Sequence, residues 1–219
     1  MIRLGVLASG SGSNLKAILD ACASGSFPAQ VAVVIANVPT ARALSRAREA
    51  GVPAVLLPHA GASSREGYDG QLVKVLHEHE VELVCLAGFM RLITPVLLRA
   101  FENKILNIHP SLLPAFPGLH AARQALAAGA RVSGCTVHLV DAGTDTGPIL
   151  LQAAVPVLDD DDEETLAARI LVQEHRAYPR AIALWAAQRF SFAAVSRRVR
   201  VRDAAADAGQ TLASPRLED

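Results

Sequence analysis

Short unbroken apolar runs alternate along this chain with longer stretches of helical period. The runs Ile2–Ala8, Val31–Ala36, Ala54–Leu57, Leu83–Ala87 and Ile105–Ile108 are dominated by Val, Ile, Leu and Ala. A strand with one wet face alternates polar and apolar residues. An unbroken run instead fits a strand covered on both faces, as in a parallel sheet. Between the runs, Ser13–Ala23, Arg42–Ala50, Ser64–His79 and Thr94–Ala100 read as helices, with Asn14, Thr40, Ser64 and Thr94 as candidate N-caps and Gly51 closing the second. The order βαβαβαβαβ predicts an α/β, doubly wound, mostly parallel sheet with helices on both faces.

After Pro110 the pattern changes. His120–Ala128 reads as a helix closed by Gly129, and Thr136–Val140 and Ile149–Val157 read as strands joined by a Gly-rich loop. A long helix from about Asp161 to Gln188 opens on the acidic run Asp159–Glu164, which complements the helix dipole; Pro179 is expected to kink or split it. Arg198–Val201 is expected to form an edge strand and Asp207 onward to be poorly ordered. The length suits one domain, over 1–195, with a small appendage, the tail over 196–219.

Composition narrows the function classes. Hydrophobic residues make up 51% and charged residues 19%, so a large core is feasible. The 21 basic and 21 acidic side chains cancel, leaving no global basic field to gather nucleic acid. Cys22, Cys85 and Cys135 are odd in number and lie in apolar context, which reads as buried reduced thiols in the cytoplasm. No CxxC or HxxxH spacing suggests a metal. No apolar stretch reaches the length of a membrane span, and the opening residues are too quickly interrupted for a signal peptide.

Three segments can carry chemistry. Ala8–Leu15, ASGSGSNL, follows the first strand and opens a helix, so its N–H groups and the helix dipole suit one phosphate group. Leu15 and Asn37 stand where a dinucleotide fingerprint needs a glycine and an acid. Asn107 and His109 lie two apart on a strand and therefore face one side, where an amide and an imidazole can bind an oxyanion. In the loop Asp141–Pro148, either Asp145 or Asp141 can orient His109 or take a proton. Arg65 at a helix start suits an anion partner, and Glu174 in mid-helix suits an amine, although a surface Arg and a solvated Glu are the commoner outcomes.

Together these pieces resemble the glycinamide ribonucleotide formyltransferase family of folate-dependent purine enzymes. The resemblance spans Ile2–Trp185 and rests on GSGSNL, LAGFMRL at 86–92, NIHPSLLPAFPGLH at 107–120, TVHLVDAGTDTGPIL at 136–150 and QEHRAYP at 173–179. It implies formyl transfer from 10-formyltetrahydrofolate to the amine of 5-phosphoribosylglycinamide, in a cytoplasmic monomer or homodimer with no metal and no nucleic-acid or membrane partner. Asn107, His109 and Asp145 match the family's catalytic trio, which selects Asp145 over Asp141. Gly12, Ser13, Asn14, Leu15, Arg65 and Glu174 match its ribonucleotide contacts. Met90, Arg91, Leu92, Asn107, Val140, Asp141 and Asp145 match its folate pocket. His138 and His120 are expected nearby. On this resemblance, 1–100 is the phosphate-binding half and 101–195 the folate-binding and catalytic half. Leu171 stands where some members carry a Gln, and Phe116 replaces a frequent Tyr. The alternative is a formyltetrahydrofolate deformylase-like hydrolase, which usually carries an extra N-terminal domain. Methionyl-tRNA formyltransferases carry a basic C-terminal domain for which this length and charge leave no room.

Overall fold

A computed structural model describes residues 1–25, 27–192 and 198–202. Strands β1 (Ile2–Ala8), β2 (Ala29–Ala36), β3 (Ala54–Leu56), β4 (Leu83–Leu86), β5 (Ile105–His109), β6 (Val132–Leu139) and β7 (Ile149–Pro156) are hydrogen-bonded in the order β3-β2-β1-β4-β5-β6-β7. The chain divides into two compact units, residues 1–107 with 139–143, and 108–138 with 144–219.

In the first unit, β1 pairs in parallel with β2 and β4, β2 with β3, and β4 with β5. Helices α1 (Ser13–Ala23), α2 (Arg42–Glu49), α3 (Arg65–Glu78) and α4 (Pro95–Ala100) connect them. This is the doubly wound order, with its reversal between β1 and β4, where such sheets bind ligands at the strands' carboxyl ends. The core gathers Leu7, Val33 and Ile35 of the strands with Tyr68, Leu72 and Leu97 of α3 and α4. Ser64 and Thr94 cap α3 and α4 with their side chains. The caps expected at Asn14 and Thr40 do not form: α1 starts at Gly12 and α2 at Ala41, neither with a side-chain cap. Gly12 sits at φ 67, and a Cβ there would lie 2.9 Å from Ala43 Cα. Position 12 therefore needs glycine both for its torsion and for the close approach of α2.

In the second unit, β6 and β7 are antiparallel, with Thr136 directly opposite Gln152. β6 begins at Val132, four residues before the expected Thr136. A Cβ at Gly134 would fall 2.1 Å from the carbonyl of Ala153, so the close strand approach depends on that glycine. Helix α5 (Ala121–Ala127) precedes β6, and α6 (Glu163–Ala186) follows β7. A capping box of Asp162 and Thr165 opens α6. The helix runs through Pro179 without splitting. The flanking Tyr178, Ala181 and Ile182 are almost wholly buried, and packing offsets the lost hydrogen bond. Strand β9 (Val199–Val201) pairs antiparallel with β8 (Phe190–Phe192) in a separate two-stranded sheet. The segment from Asp207 lies outside the described residues. Among the described residues, no helix is long and apolar enough to cross a membrane.

Candidate active site

Strand β5 ends at His109, one residue before Pro110. His109 is only 4% exposed. Its Nε2 lies 2.9 Å from the Phe116 carbonyl. A carbonyl only accepts, so this nitrogen carries a proton and donates it. Its Nδ1 lies 3.3 Å from Asp145 Oδ2. Both ring nitrogens thus face acceptors, an arrangement that the doubly protonated ring satisfies completely.

Asp145 sits in the β6–β7 loop at φ 55, a left-handed torsion that is costly for a side-chain-bearing residue. The Gly118 N–H donates to its Oδ2 at 2.8 Å, and His138 Nε2 lies 3.6 Å from its Oδ1. Burial alone would raise this carboxyl. The nearby His138 imidazole, the Gly118 N–H and the neighbouring histidine charges outweigh burial and hold it below its ordinary value of 3.8. The group is therefore an ionised acceptor wedged between two buried imidazoles. His138 projects from β6 and is 2% exposed. His120, by contrast, is exposed and pairs with Glu163 at 3.1 Å, beside the Arg123–Glu163 bridge.

Glu174, on α6, is 7% exposed and is not the solvated mid-helix Glu that its sequence position suggests. Burial, and then the charge of Glu174, pushes the Cys135 thiol up to about 12. Cys22 is only partly buried, unlike Cys85 and Cys135, and burial still raises it to about 11.

In the first unit, the β1–α1 turn is held at the switch point. The Ser9 hydroxyl donates to Asn37 Oδ1 at 2.7 Å and accepts from the Met90 N–H at 2.9 Å. The start of α1 has no acidic residue in its first turn and no side-chain cap, so an anion there meets an uncompensated dipole. Asn14 is 8% exposed and Leu15 fully buried. Leu15 can therefore offer a ligand only its backbone.

Helix α3 grips the following loop with three residues of one face. Arg65 Nη2 donates to the Leu92 carbonyl at 3.0 Å. The Arg91 guanidinium lies 4.4 Å above the Tyr68 ring, and the Thr94 N–H donates to buried Asp69 at 2.6 Å. Met90 and Leu92 leave large side chains exposed. Asn107 is half-buried on β5. The Val140 N–H donates to the Ile105 carbonyl, and Asp141 accepts from the Gly143 N–H at 3.0 Å, closing its own turn. No group of three or more His, Cys, Asp or Glu among the described residues could hold a metal.

Reading the sequence alone missed the Phe116 carbonyl and Gly118 N–H that flank the His–Asp pair, and gave His138 no definite role. Strand alternation was the available signal for His138, since it and Thr136 share one face of β6.

A doubly wound, mostly parallel α/β sheet of this strand order defines a Rossmann-like fold class. The chain belongs to the formyl transferase family, whose model matches residues 2–182. It is 52% identical over 181 residues to phosphoribosylglycinamide formyltransferase of Mycobacterium tuberculosis (strain ATCC 25618 / H37Rv), covering 83% of each chain. It is 50% identical over 184 residues to the trifunctional purine biosynthetic protein adenosine-3 of Drosophila melanogaster, and spans 14% of that protein's length. Among solved structures, glycinamide ribonucleotide transformylase 1 from Symbiobacterium toebii superposes with a TM-score of 0.90 at 57% identity, covering 92% of this chain and 94% of that one.

Proposed function

We propose that this protein is a phosphoribosylglycinamide formyltransferase of purine biosynthesis. It transfers the formyl group of 10-formyltetrahydrofolate to the amine of 5-phosphoribosylglycinamide, giving formylglycinamide ribonucleotide and tetrahydrofolate. The observation that carries this reading is the buried His109–Asp145 pair, 3.3 Å apart, in a chain of the formyl transferase family.

In the proposed reaction the amine nitrogen attacks the formyl carbon and the carbonyl oxygen becomes an oxyanion. The Asn107 amide and the His109 Nε2–H donate to that oxygen, the latter turning from the Phe116 carbonyl. Asp145 holds His109 in its charged form. Through a bound water it relays the amine's proton to the folate nitrogen as the carbon–nitrogen bond to folate breaks. In that same step the oxyanion collapses to the formamide and expels tetrahydrofolate. No enzyme nucleophile is required.

The phosphate is assigned to Gly12, Ser13, Asn14 and Leu15 at the start of α1 and to Arg65, and the glycinamide amine to Glu174. The folate is assigned to Met90, Arg91, Leu92, Val140 and Asp141, with Asn107 and Asp145. The reading makes 1–100 the phosphate-binding half and 101–195 the folate-binding and catalytic half, in a cytoplasmic monomer or homodimer. The absence of an acid or a side-chain cap at the start of α1 supports the phosphate assignment.

The rival reading, hydrolysis of free formyltetrahydrofolate, gives an anion site after β1 no use, and the relatives' names do not favour it. The test is tetrahydrofolate release with and without the ribonucleotide. Release that depends on the ribonucleotide is expected; release at the same rate without it would overturn the proposal in favour of the hydrolase. Arg65→Ala is expected to raise KM for the ribonucleotide far more than for the folate, and equal effects would contradict the phosphate assignment.

A further inference from the structure

The backbone groups that flank His109 and Asp145 are themselves held by a group outside the reacting constellation. The segment from Ser111 to Gly118 supplies both the Phe116 carbonyl on His109 and the Gly118 N–H on Asp145. One hydroxyl anchors the start of that segment. Thr136 is fully buried on β6. It donates to the Ser111 carbonyl at 2.7 Å and accepts from the Leu113 N–H at 3.0 Å and from Gln152 Nε2 at 2.9 Å. A hydroxyl has one proton and two lone pairs, and all three are used. Gln152, opposite on β7, also donates to the Leu113 carbonyl at 2.9 Å. The Ser111 hydroxyl then donates to the Ala115 carbonyl at 2.5 Å, one residue before Phe116. Phe116 itself sits at φ 53, a torsion that persists only when its surroundings enforce it.

We propose that Thr136, assisted by Gln152, is a positioning residue that sets the orientation and charge of the His109–Asp145 pair through the 111–118 segment. Neither residue touches a reacting atom in the proposed chemistry. The inference rests on the formyl-transfer reading, because its measurements are of that reaction. The chain of contacts makes a directional statement. The Phe116 carbonyl fixes the direction of the His109 Nε2–H, and the Gly118 N–H favours the charged carboxylate. The titratable groups facing the pair are His138, 3.6 Å from Asp145, and the two members themselves. A segment that drifts takes both supports away, so the ring loses its orientation and Asp145 ionises only at higher pH.

The experiment compares the full-length protein with Thr136→Val, Thr136→Ser and Gln152→Ala. It follows kcat and both KM values against pH, with circular dichroism as a check on folding. Thr136→Val keeps the side-chain volume and removes the hydroxyl. Its kcat is expected to fall about tenfold, since misplacement by about 1 Å can cost up to about a hundredfold. Its acid limb should move to higher pH, with the ribonucleotide KM little changed. Thr136→Ser, which keeps the hydroxyl, should restore kcat to within about twofold. Gln152 is exposed, so Gln152→Ala should fold and show the same movement of the acid limb with about a threefold loss. A well-folded Thr136→Val with an unshifted pH profile, or a loss that Thr136→Ser does not repair, overturns the inference. If Thr136→Val does not fold, an unshifted profile in Gln152→Ala overturns it. Failure of the underlying activity would show instead as no turnover in the unaltered protein.

Discussion

Replacing Asp145 with Asn keeps the shape of the side chain and removes its charge. His109 Nδ1 lies 3.3 Å from Asp145 Oδ2, and the two side chains are only 6% and 13% exposed. A full charge pair at that separation, in surroundings of effective dielectric about 20, interacts by about 5 kcal/mol. The amide keeps a dipole against the ring and an acceptor for the Gly118 N–H. The net loss is therefore closer to that of one charge-assisted hydrogen bond, about 2–3 kcal/mol. Placed on the transition state, this lowers kcat by about 30- to 150-fold. The assay is steady-state formyl transfer with both substrates saturating. Stability supplies a second readout with a definite sign. The folded carboxyl lies below its ordinary value of 3.8, so its contribution is complete above about pH 4 and is lost as pH falls through the folded value. Asp145→Asn should therefore lose stability relative to the unaltered protein at pH 7 and recover parity in strong acid. A kcat within threefold of the unaltered protein would refute the claim that Asp145 sustains the charged imidazole.

Gly12→Ala forces a left-handed torsion worth about 1–2 kcal/mol and drives a methyl into Ala43, so Tm should fall by at least about 3 °C and the ribonucleotide KM should rise, as melting curves and kinetics would show. The Asp161 side chain is 2% exposed, and the Arg169 guanidinium, at 2.6 and 2.7 Å, pulls its carboxyl down to about 2. Its contribution is complete above about pH 4 and fades towards pH 2, so Asp161→Asn should cost about 2 kcal/mol in urea unfolding at pH 7 and much less at pH 2.5; equal losses would contradict it. Cys135, raised to about 12, should react with an aromatic disulfide at pH 8 at under about 1% of its rate in urea; fast labelling of the native protein would contradict its burial.

Much of the fold was legible because the first five strands are built on short runs rich in Val, Ile, Leu and Ala, and α1 and α3 follow the expected period to within a residue or two. Where the reading slipped, a local signal lost to packing. β6 starts four residues before the expected Thr136, and Gly134 within that added stretch is what lets β7 approach. Pro179 looked like a break, but the packed face of α6 carries the helix across it. Asn14 and Thr40 looked like caps, whereas glycine torsion and close packing set those starts. At the candidate site, alternation placed Asn107 and His109 on one side of β5. The partner of His109 was not legible from the residues themselves, because Asp141 and Asp145 are equivalent as letters. The left-handed turn at Asp145 distinguishes them, together with contacts to Gly118 and His138 from remote sequence. The Thr136–Gln152 support was illegible for the same reason, since its bonds cross 16 to 39 residues.

The hold of α3 on the 91–94 loop combines three ties of different kinds: a guanidinium on a carbonyl, a guanidinium over an aromatic ring, and a buried carboxylate on an N–H. Salt weakens the exposed Arg65 tie most, and the buried Asp69 tie least. No single solution condition, and no single substitution among Arg65, Tyr68 and Asp69, releases all three. The loop is redundantly fastened, and its robustness should appear only in combination. Single losses would be nearly silent in the loop's order, whereas a double loss would cost more than the sum of its parts.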